Sequence, residues 1–350
     1  MASKLPLLTT GRTGSTGSVG GSVATEIVKA GYKIRALVRN DEKGRYLRET
    51  LTNSHGADAV ELSHTASLTD REAIESAMQG CAGVVHVASD ISTRNDPEEV
   101  IAPTVSAVKV LLEAACKTPS VKRFVFTSSL ATLPSAREEV DITSSSWAPD
   151  SVIESAWAIQ DSGLPEEQKG LVVYAASKIL AERACWDFMR ERAPHFVLNT
   201  VVPFTNIGAF VHPKLVSSFN GLVLGVWLGD AQASTFFKKV MQGAGVSHLI
   251  NLEDCGLLHL AALTLDDVRG ERILAAADAF KFNDILDVMN KLDPARMLPE
   301  SLEHEPGVKA SIDKARCKEL LARLGKAEPT GLEESIKQAI TSGTGVIYSS

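Results

Sequence analysis

In the first half of the chain, short apolar runs rich in β-branched residues alternate with stretches whose apolar residues recur every three or four positions. That alternation is the pattern of βαβ units building a parallel sheet. Leu5 to Thr10 reads as the first strand. Val19, Val23, Ala24, Ile27 and Val28 then share one helical face, and Gly31 supplies the stop. The spacing predicts further strands over Lys33–Arg39 and Ala59–Leu62, and a crossover helix opening at Ala73–Met78. The run 83–89 is apolar almost throughout, as a strand buried on both faces must be. A helix over Ala107–Cys116, a fifth strand over Arg123–Ser129, a helix over Tyr174–Arg192 and a sixth strand over Phe196–Pro203 continue the series. The polar stretch from Ser135 to Gly170, with Trp147 and Trp157, is too long for a simple connector. After the sixth strand the order loosens. Helices are expected at 309–324 and 331–340, with Thr330 and Glu333 spaced as an N-cap and its capping-box partner.

These elements imply a doubly wound α/β sheet of Rossmann type over residues 1–205, carrying 135–170 as an insertion. Residues 206–350 form a smaller mixed α/β part, interleaved with the sheet, that caps the strand ends where ligands of such folds sit. The apolar stretches 221–229 and 257–263 are far shorter than the ~20 residues a membrane helix needs, and read as buried elements. The start MASKLPLLTT carries no signal-peptide pattern, so a cytoplasmic location is expected.

Composition narrows the function. The 350 residues include 36 Lys or Arg against 43 Asp or Glu, a formal charge of −7, which argues against a nucleic-acid partner. With 44% apolar and 23% charged residues, a sizeable core is available. Five cysteines without a CxxC pair suit reduced thiols, and eight histidines without HExxH spacing give no support for a metal site.

The segment from Thr9 to Gly21 joins the first strand to the first helix and is rich in glycine, which lets backbone N–H groups approach a pyrophosphate. Two overlapping spacings fit: Gly11, Gly14 and Gly17, or Gly14, Gly17 and Gly20, with Ser18 and Val19 entering the helix. The first joins directly to the strand, whereas the second phases the helix. Arg39 ends the second strand, where an acidic residue would grip the ribose 2′-hydroxyl of NAD. An arginine there pairs instead with the 2′-phosphate of NADP, and Lys43 and Arg12 add positive charge. NADPH/NADP+ is the expected cofactor.

Tyr174 and Lys178 stand four apart and so share a helix face, while Ser128 and Ser129 end the fifth strand at the ligand edge. Carbonyl reduction needs a proton donor at oxygen while hydride reaches carbon. A phenol near pKa 10 serves when a cation stands beside it, here Lys178, with Ser129 hydrogen-bonding the carbonyl oxygen.

TGSTGSVG, VRN with Lys43, GVVHVASDIS, NDPEEVIAPTV, PSVKRFVFTSS, YAASK and PHFVLNTVVPFTNIG together resemble the extended branch of the short-chain dehydrogenase/reductase superfamily. Within it the likeness is to fungal NADPH-dependent aldehyde and carbonyl reductases, the dihydroflavonol reductase and cinnamoyl-CoA reductase group. SSFNGLVLG, GLLHLAAL and TGLEESIKQ extend it over nearly the whole chain. The resemblance implies Ser129, Tyr174 and Lys178 as the catalytic triad, with Lys178 also on the ribose hydroxyls. It places Val87, Ala88 and Ser89 along the cofactor ribose, Pro203 beside the nicotinamide, and Ser67 and Leu68 at the adenine. Ser67 departs from the Asp common in the family, and the glycine loop is longer than usual. Thr205 and Asn206 are candidates to border the substrate.

The leading expectation is therefore an NADPH-dependent reductase of small aldehydes or ketones, monomeric or homodimeric. A nucleotide-sugar epimerase or dehydratase with a tightly held NAD is the alternative within the superfamily. A dinucleotide-sensing regulator without catalysis is the alternative outside it. Walls are expected from the loop after Ser89, Leu130–Leu133, residues 147–170 and Phe204 onward, mostly apolar or small, which suits an uncharged carbonyl compound.

Overall fold

The structure is a computed structural model and describes residues 6–10, 15–90, 94–244, 247–305, 307 and 309–345. Successive strand residues alternate between faces, so Leu7 enters one core and Leu8 the other, and the same holds for Val85 and Val84. Helices therefore cover both sides of the sheet. The first elements are β1 (Leu7–Thr10), α1 (Ser18–Lys29), β2 (Ile34–Val38), α2 (Asp41–His55), β3 (Val60–His64) and α3 (Arg71–Met78). They are followed by β4 (Gly83–His86), α4 (Pro97–Lys117), β5 (Arg123–Thr127), β6 (Asp141–Ile142), α5 (Ser151–Trp157), α6 (Glu166–Arg192) and β7 (Val197–Pro203). Next come β8 (Thr205–Ile207), α7 (Ser218–Trp227), α8 (Ala231–Ala244), β9 (Ser247–Asn251), α9 (Leu252–Thr264) and β10 (Arg272–Ala275). The chain closes with β11 (Ala279–Phe280), α10 (Phe282–Leu292), β12 (Ser311–Ile312), α11 (Ala315–Arg323) and α12 (Leu332–Thr344).

Seven strands form one parallel sheet in the order β10-β7-β5-β4-β1-β2-β3, a doubly wound α/β arrangement of Rossmann type. The chain starts in the middle and winds out both ways. A core of α1, α9 and α11 residues lies on one face, and one of α3, α4 and α6 residues on the other. A third core gathers α7, α8, α10 and α12 beside the small sheet β11-β9-β8. The insertion is tied to this later part, because β6 pairs with β12. Among the described residues no helix is long and apolar enough to cross a membrane, and no cluster of His, Cys, Asp or Glu could hold a metal. All five cysteines are free thiols.

Several boundaries differ from the pattern-based expectation. The 309–324 helix shrinks to α11, preceded by the short β12. The helix expected to open at Tyr174 begins at Glu166, with Pro165 as N-cap, so Tyr174 lies well inside α6. Gly170, which reads as loop, is buried within that helix. α4 likewise starts at Pro97 and runs through Pro103. Asp96 caps it by accepting from the N–H groups of Glu98 and Glu99, and Pro97 sits where its missing N–H costs nothing. The Glu99 carbonyl, which Pro103 deprives of its helical partner, takes the Arg94 guanidinium at 3.4 Å. The capping box at Thr330 is not formed. Gly331 is the N-cap, and the Thr330 N–H and hydroxyl both turn to the buried Asp254 carboxylate, at 2.7 and 3.3 Å.

α1 packs closely on α9, and Gly256 permits it. A Cβ there would stand 2.8 Å from Ser22 Oγ and 2.9 Å from the Ser22 carbonyl oxygen. Gly256→Val is expected to lower the unfolding free energy by about 1–3 kcal/mol, read as an earlier urea midpoint with an unchanged slope.

Candidate active site

Strand order reverses at β1, which opens a crevice at the carboxyl ends of β1 and β4. α1 starts there with Gly17 as N-cap, extended backbone at φ −96°, and no side-chain cap from that residue. Gly20 is buried in the first turn of α1, so Gly17 and Gly20 take the positions that the second glycine spacing assigns them. Gly11, Arg12 and Gly14 lie outside the described residues. The Ser18 N–H donates to Ser217 Oγ at 2.9 Å, and the Ser18 hydroxyl donates to the Ser217 carbonyl at 3.0 Å. The segment before α7 is thus stitched to the helix start, and its next residue, Ser218, holds a left-handed φ of +59°. SSFNGLVLG begins at Ser217, but its sequence gives no sign of a bond to Ser18, 199 positions away.

Two cavities adjoin this point. The smaller, about 160 Å³, is lined by Arg39, Ser67, Leu68, His86, Ala88 and Ser89. Lys43 stands exposed in the first turn of α2, outside that lining, with its N–H on the Asn40 side chain. Ser67 Oγ is engaged locally, 2.8 Å from Thr69 Oγ1. The larger cavity, about 880 Å³, takes Ser18, Val19, Val87 and Ser89 on one side and Ser129, Tyr174, Lys178 and Pro203 on the other. Ser89 belongs to both. Two cavities that share Ser89, one with an arginine in its lining and the other with a helix start and apolar walls, fit a phosphorylated dinucleotide.

The predicted reactive residues meet at one place. β5 delivers Ser128 and Ser129, buried at 4% and 8% exposure. Ser129 Oγ accepts the Ala131 N–H at 3.2 Å, and Tyr174, partly exposed in the cavity, hydrogen-bonds Ser129. Burial raises the Tyr174 phenol above its ordinary pKa, and the Ser129 bond opposes the rise. Lys178 is 1% exposed; its Nζ donates to the Thr127 carbonyl at 2.7 Å and lies 4.6 Å from the Phe126 ring centroid. Desolvation lowers its pKa to about 8, against the pull of Glu182. The expectation that a neighbouring cation sets the phenol is thus modified, since burial is the larger influence on Tyr174 here.

Thr205 and Asn206 both line the larger cavity, with Phe204. Asn206 Nδ2 donates to the Phe204 carbonyl at 3.0 Å, which leaves the buried Oδ1 as an acceptor with no partner among the described residues. Gln168 and Leu171 of α6 and Phe236, Val240 and Met241 of α8 complete the walls. The α8 wall falls within the part from Phe204 onward, where walls were expected, but the helix that carries it was not predicted, because it lies beyond the region where strand patterning stays regular. Residues 91–93, in the loop after Ser89, are outside the described residues.

Two histidines back this site. His86 lines the smaller cavity, and burial pushes its pKa down to about 3. His259 is held down at about 4; its Nδ1–H donates to the Cys255 carbonyl, so its Nε2 accepts from Thr127 Oγ1 at 2.8 Å.

Fold and site together define a Rossmann-type α/β protein with a Ser–Tyr–Lys constellation at the ends of its parallel strands. A model of the NAD dependent epimerase/dehydratase family matches residues 13–265, and the chain belongs to that family, the extended branch that its motifs resemble. Among its relatives, NAD-dependent epimerase/dehydratase terH of Aspergillus terreus is 37% identical over 290 residues, 82% of this chain and 83% of that protein. Aldehyde reductase 2 of Sporidiobolus salmonicolor is 32% identical over 336 residues, 95% of each. The solved structure of Gre2 from Candida albicans in complex with NADPH matches with a TM-score of 0.77 at 21% identity, covering 97% of this chain and 99% of that one, a likeness of fold.

Both buried histidines are neutral in the folded chain, whereas the unfolded chain protonates them near pH 6.5. Stability is therefore full above that pH and declines as pH falls toward the folded values. Between pH 7 and pH 5 the unfolding free energy should drop by on the order of 2 kcal/mol per histidine. Urea midpoints at the two pH values measure it, and a flat profile would contradict the assignment.

Proposed function

We propose that the chain is an NADPH-dependent reductase that converts aldehydes or ketones to alcohols by direct hydride transfer. The observation that carries this is the meeting of Ser129, Tyr174 and Lys178 in a mostly apolar cavity that shares Ser89 with a second cavity lined by Arg39. The family membership and a relative named as an aldehyde reductase support the reaction class. A phosphate-bearing dinucleotide would be held by the α1 N-terminus with Gly17, Ser18 and Ser217, by Val87, Ala88 and Ser89, and by Arg39 at the 2′-phosphate. When bound, the reduced nicotinamide supplies the hydride.

The remaining work falls to this chain's side chains. Tyr174 carries its proton at neutral pH, as any phenol near pKa 10 does, and burial raises its pKa further, so its hydroxyl is a donor to the carbonyl oxygen. Ser129 Oγ, next to that hydroxyl, hydrogen-bonds the same oxygen and fixes its approach. Lys178, charged below about pH 8, sits one turn along α6 where a positive charge favours the alkoxide-like state. Phe204, Leu130 and Leu171 line the cavity with apolar surface and favour an uncharged substrate.

Tyr174→Phe should lower NADPH oxidation by about 100-fold or more across a panel of aldehydes, β-ketoesters, aryl ketones and dihydroflavonols, with NADPH affinity within twofold of the parent. Turnover retained in that variant overturns the assignment. Arg39 predicts tighter binding of NADPH than of NADH in a fluorescence titration. Equal affinities, or NAD retained through purification, would favour an epimerase or dehydratase.

A further inference from the structure

Beneath the reactive group lies a buried ion pair that the reaction as described leaves unused. Tyr174, Lys178 and Glu182 follow at four-residue intervals along one face of α6, and Glu182 is fully buried. Its Oε1 accepts from Arg272 Nε at 2.9 Å and Thr200 Oγ1 at 2.8 Å; its Oε2 accepts from Ser128 Oγ at 2.5 Å and Arg272 Nη2 at 3.3 Å. Arg272, on the edge strand β10, also donates to Thr132 Oγ1 at 2.6 Å and to the Ser146 carbonyl, with its guanidinium 4.1 Å from the Trp147 ring centroid. Thr132 in turn donates to the Ser129 carbonyl through both its N–H and its hydroxyl, at 2.9 Å each. Ser128 on one side and Thr132 on the other thus fasten the turn that carries Ser129 to the same pair.

Glu182 also stands one turn along α6 from Lys178, on the same helix face, and its charge raises the pKa of that ammonium. The titratable groups around that ammonium are Glu182 and Cys185 on α6 and His86 on β4; Arg272 meets Glu182 from β10, and His259 on α9 reaches the Thr127 side chain. Burial keeps the Cys185 thiol and both histidines neutral. Among these groups, then, Glu182 is the negative one.

We propose that Glu182 and Arg272 are positioning residues for the reaction: the pair fixes the Ser128–Ser129 turn against α6, and its carboxylate is the counter-charge of Lys178. The proposal rests on the reductase reading, and its readout is chosen to be separable from it.

The test is the pH dependence of NADPH binding, followed by fluorescence from pH 6 to 10, alongside kcat and KM for a reducible carbonyl compound. Glu182→Gln removes the anion, which disfavours the ammonium, so the basic-side midpoint of NADPH binding should move down by about one pH unit. kcat should fall about tenfold, with KM for the carbonyl compound within twofold. Gln leaves the buried Arg272 charge uncompensated, so the double variant Glu182→Gln/Arg272→Met removes both charges; the lost cation acts on the ammonium in the opposite sense, so the midpoint should still move down, by less than in Glu182→Gln, in a folded chain. Ser128→Ala keeps both charges; it should lower kcat about fivefold and leave the midpoint in place. A merely structural pair would lower the melting temperature without moving the midpoint. An unmoved midpoint in the charge variants, or an unchanged kcat in Ser128→Ala, overturns the proposal. A parent protein that binds NADPH but reduces no carbonyl compound overturns the reductase reading, while the midpoint comparison still decides this one.

Discussion

An ammonium group buried at the carboxyl ends of parallel strands would cost several kcal/mol in lost hydration, so the chain around Lys178 has to supply partners from several directions. The Thr127 carbonyl at the end of β5 accepts its hydrogen bond, the Phe126 ring presents its negative face, and Glu182 adds an opposite charge. Each of these has its own requirement. Thr127 must end its strand at the right level, Phe126 must point to the α6 side of the sheet, and Glu182 must itself be compensated, which brings in Arg272 from the last strand of the sheet. The position of Tyr174 follows from the same column of residues, one turn before the lysine.

That dependence explains why the later part of the chain is fastened to the sheet rather than appended to it. β10 places Arg272 under the site, and Arg272 also holds the carbonyls of Ser144 and Ser146, so the insertion docks where the site is braced. Ser217 bonds Ser18 at the start of α1, and β12 pairs with β6. These three fastenings join the first half of the chain to the second at the strand ends. The walls of the larger cavity accordingly come from both halves: Leu130 and Leu171 from one, Phe204, Phe236 and Met241 from the other.

The parallel strands were legible because both-face burial forces continuous apolar, β-branched runs, and the Ser129, Tyr174 and Lys178 set because strand ends and helix spacing bring them together. α2 was not legible, since only Gly44, Leu47 and Leu51 are buried along its fifteen residues, a stripe too thin to stand out from a polar loop. α4 and α6 were shortened at Pro103 and Gly170, residues whose local preference is overridden where a carbonyl finds the Arg94 side chain or the position is packed. Ser217 and Arg272 belong to the site through contacts that span the chain, and no local period encodes those. The charge count of −7 was informative in a negative sense, because the cations that matter are local: Arg39 on its cavity and Lys178 in its buried column.

One physical cause, burial, acts on the two titratable members of the reactive set in opposite senses. It raises the phenol of Tyr174 and lowers the ammonium of Lys178 to about 8, yet at neutral pH the first still keeps its proton and the second its charge. A protonated phenol is the form that gives a proton to a carbonyl oxygen, whereas oxidation of an alcohol needs the phenolate. One group serves both directions, so these shifts bear on the pH at which each form is present and not on the direction of a reaction. Both shifts follow from the depth at which α6 sits against the strand ends, and the partners that hold Lys178 are what permit that depth.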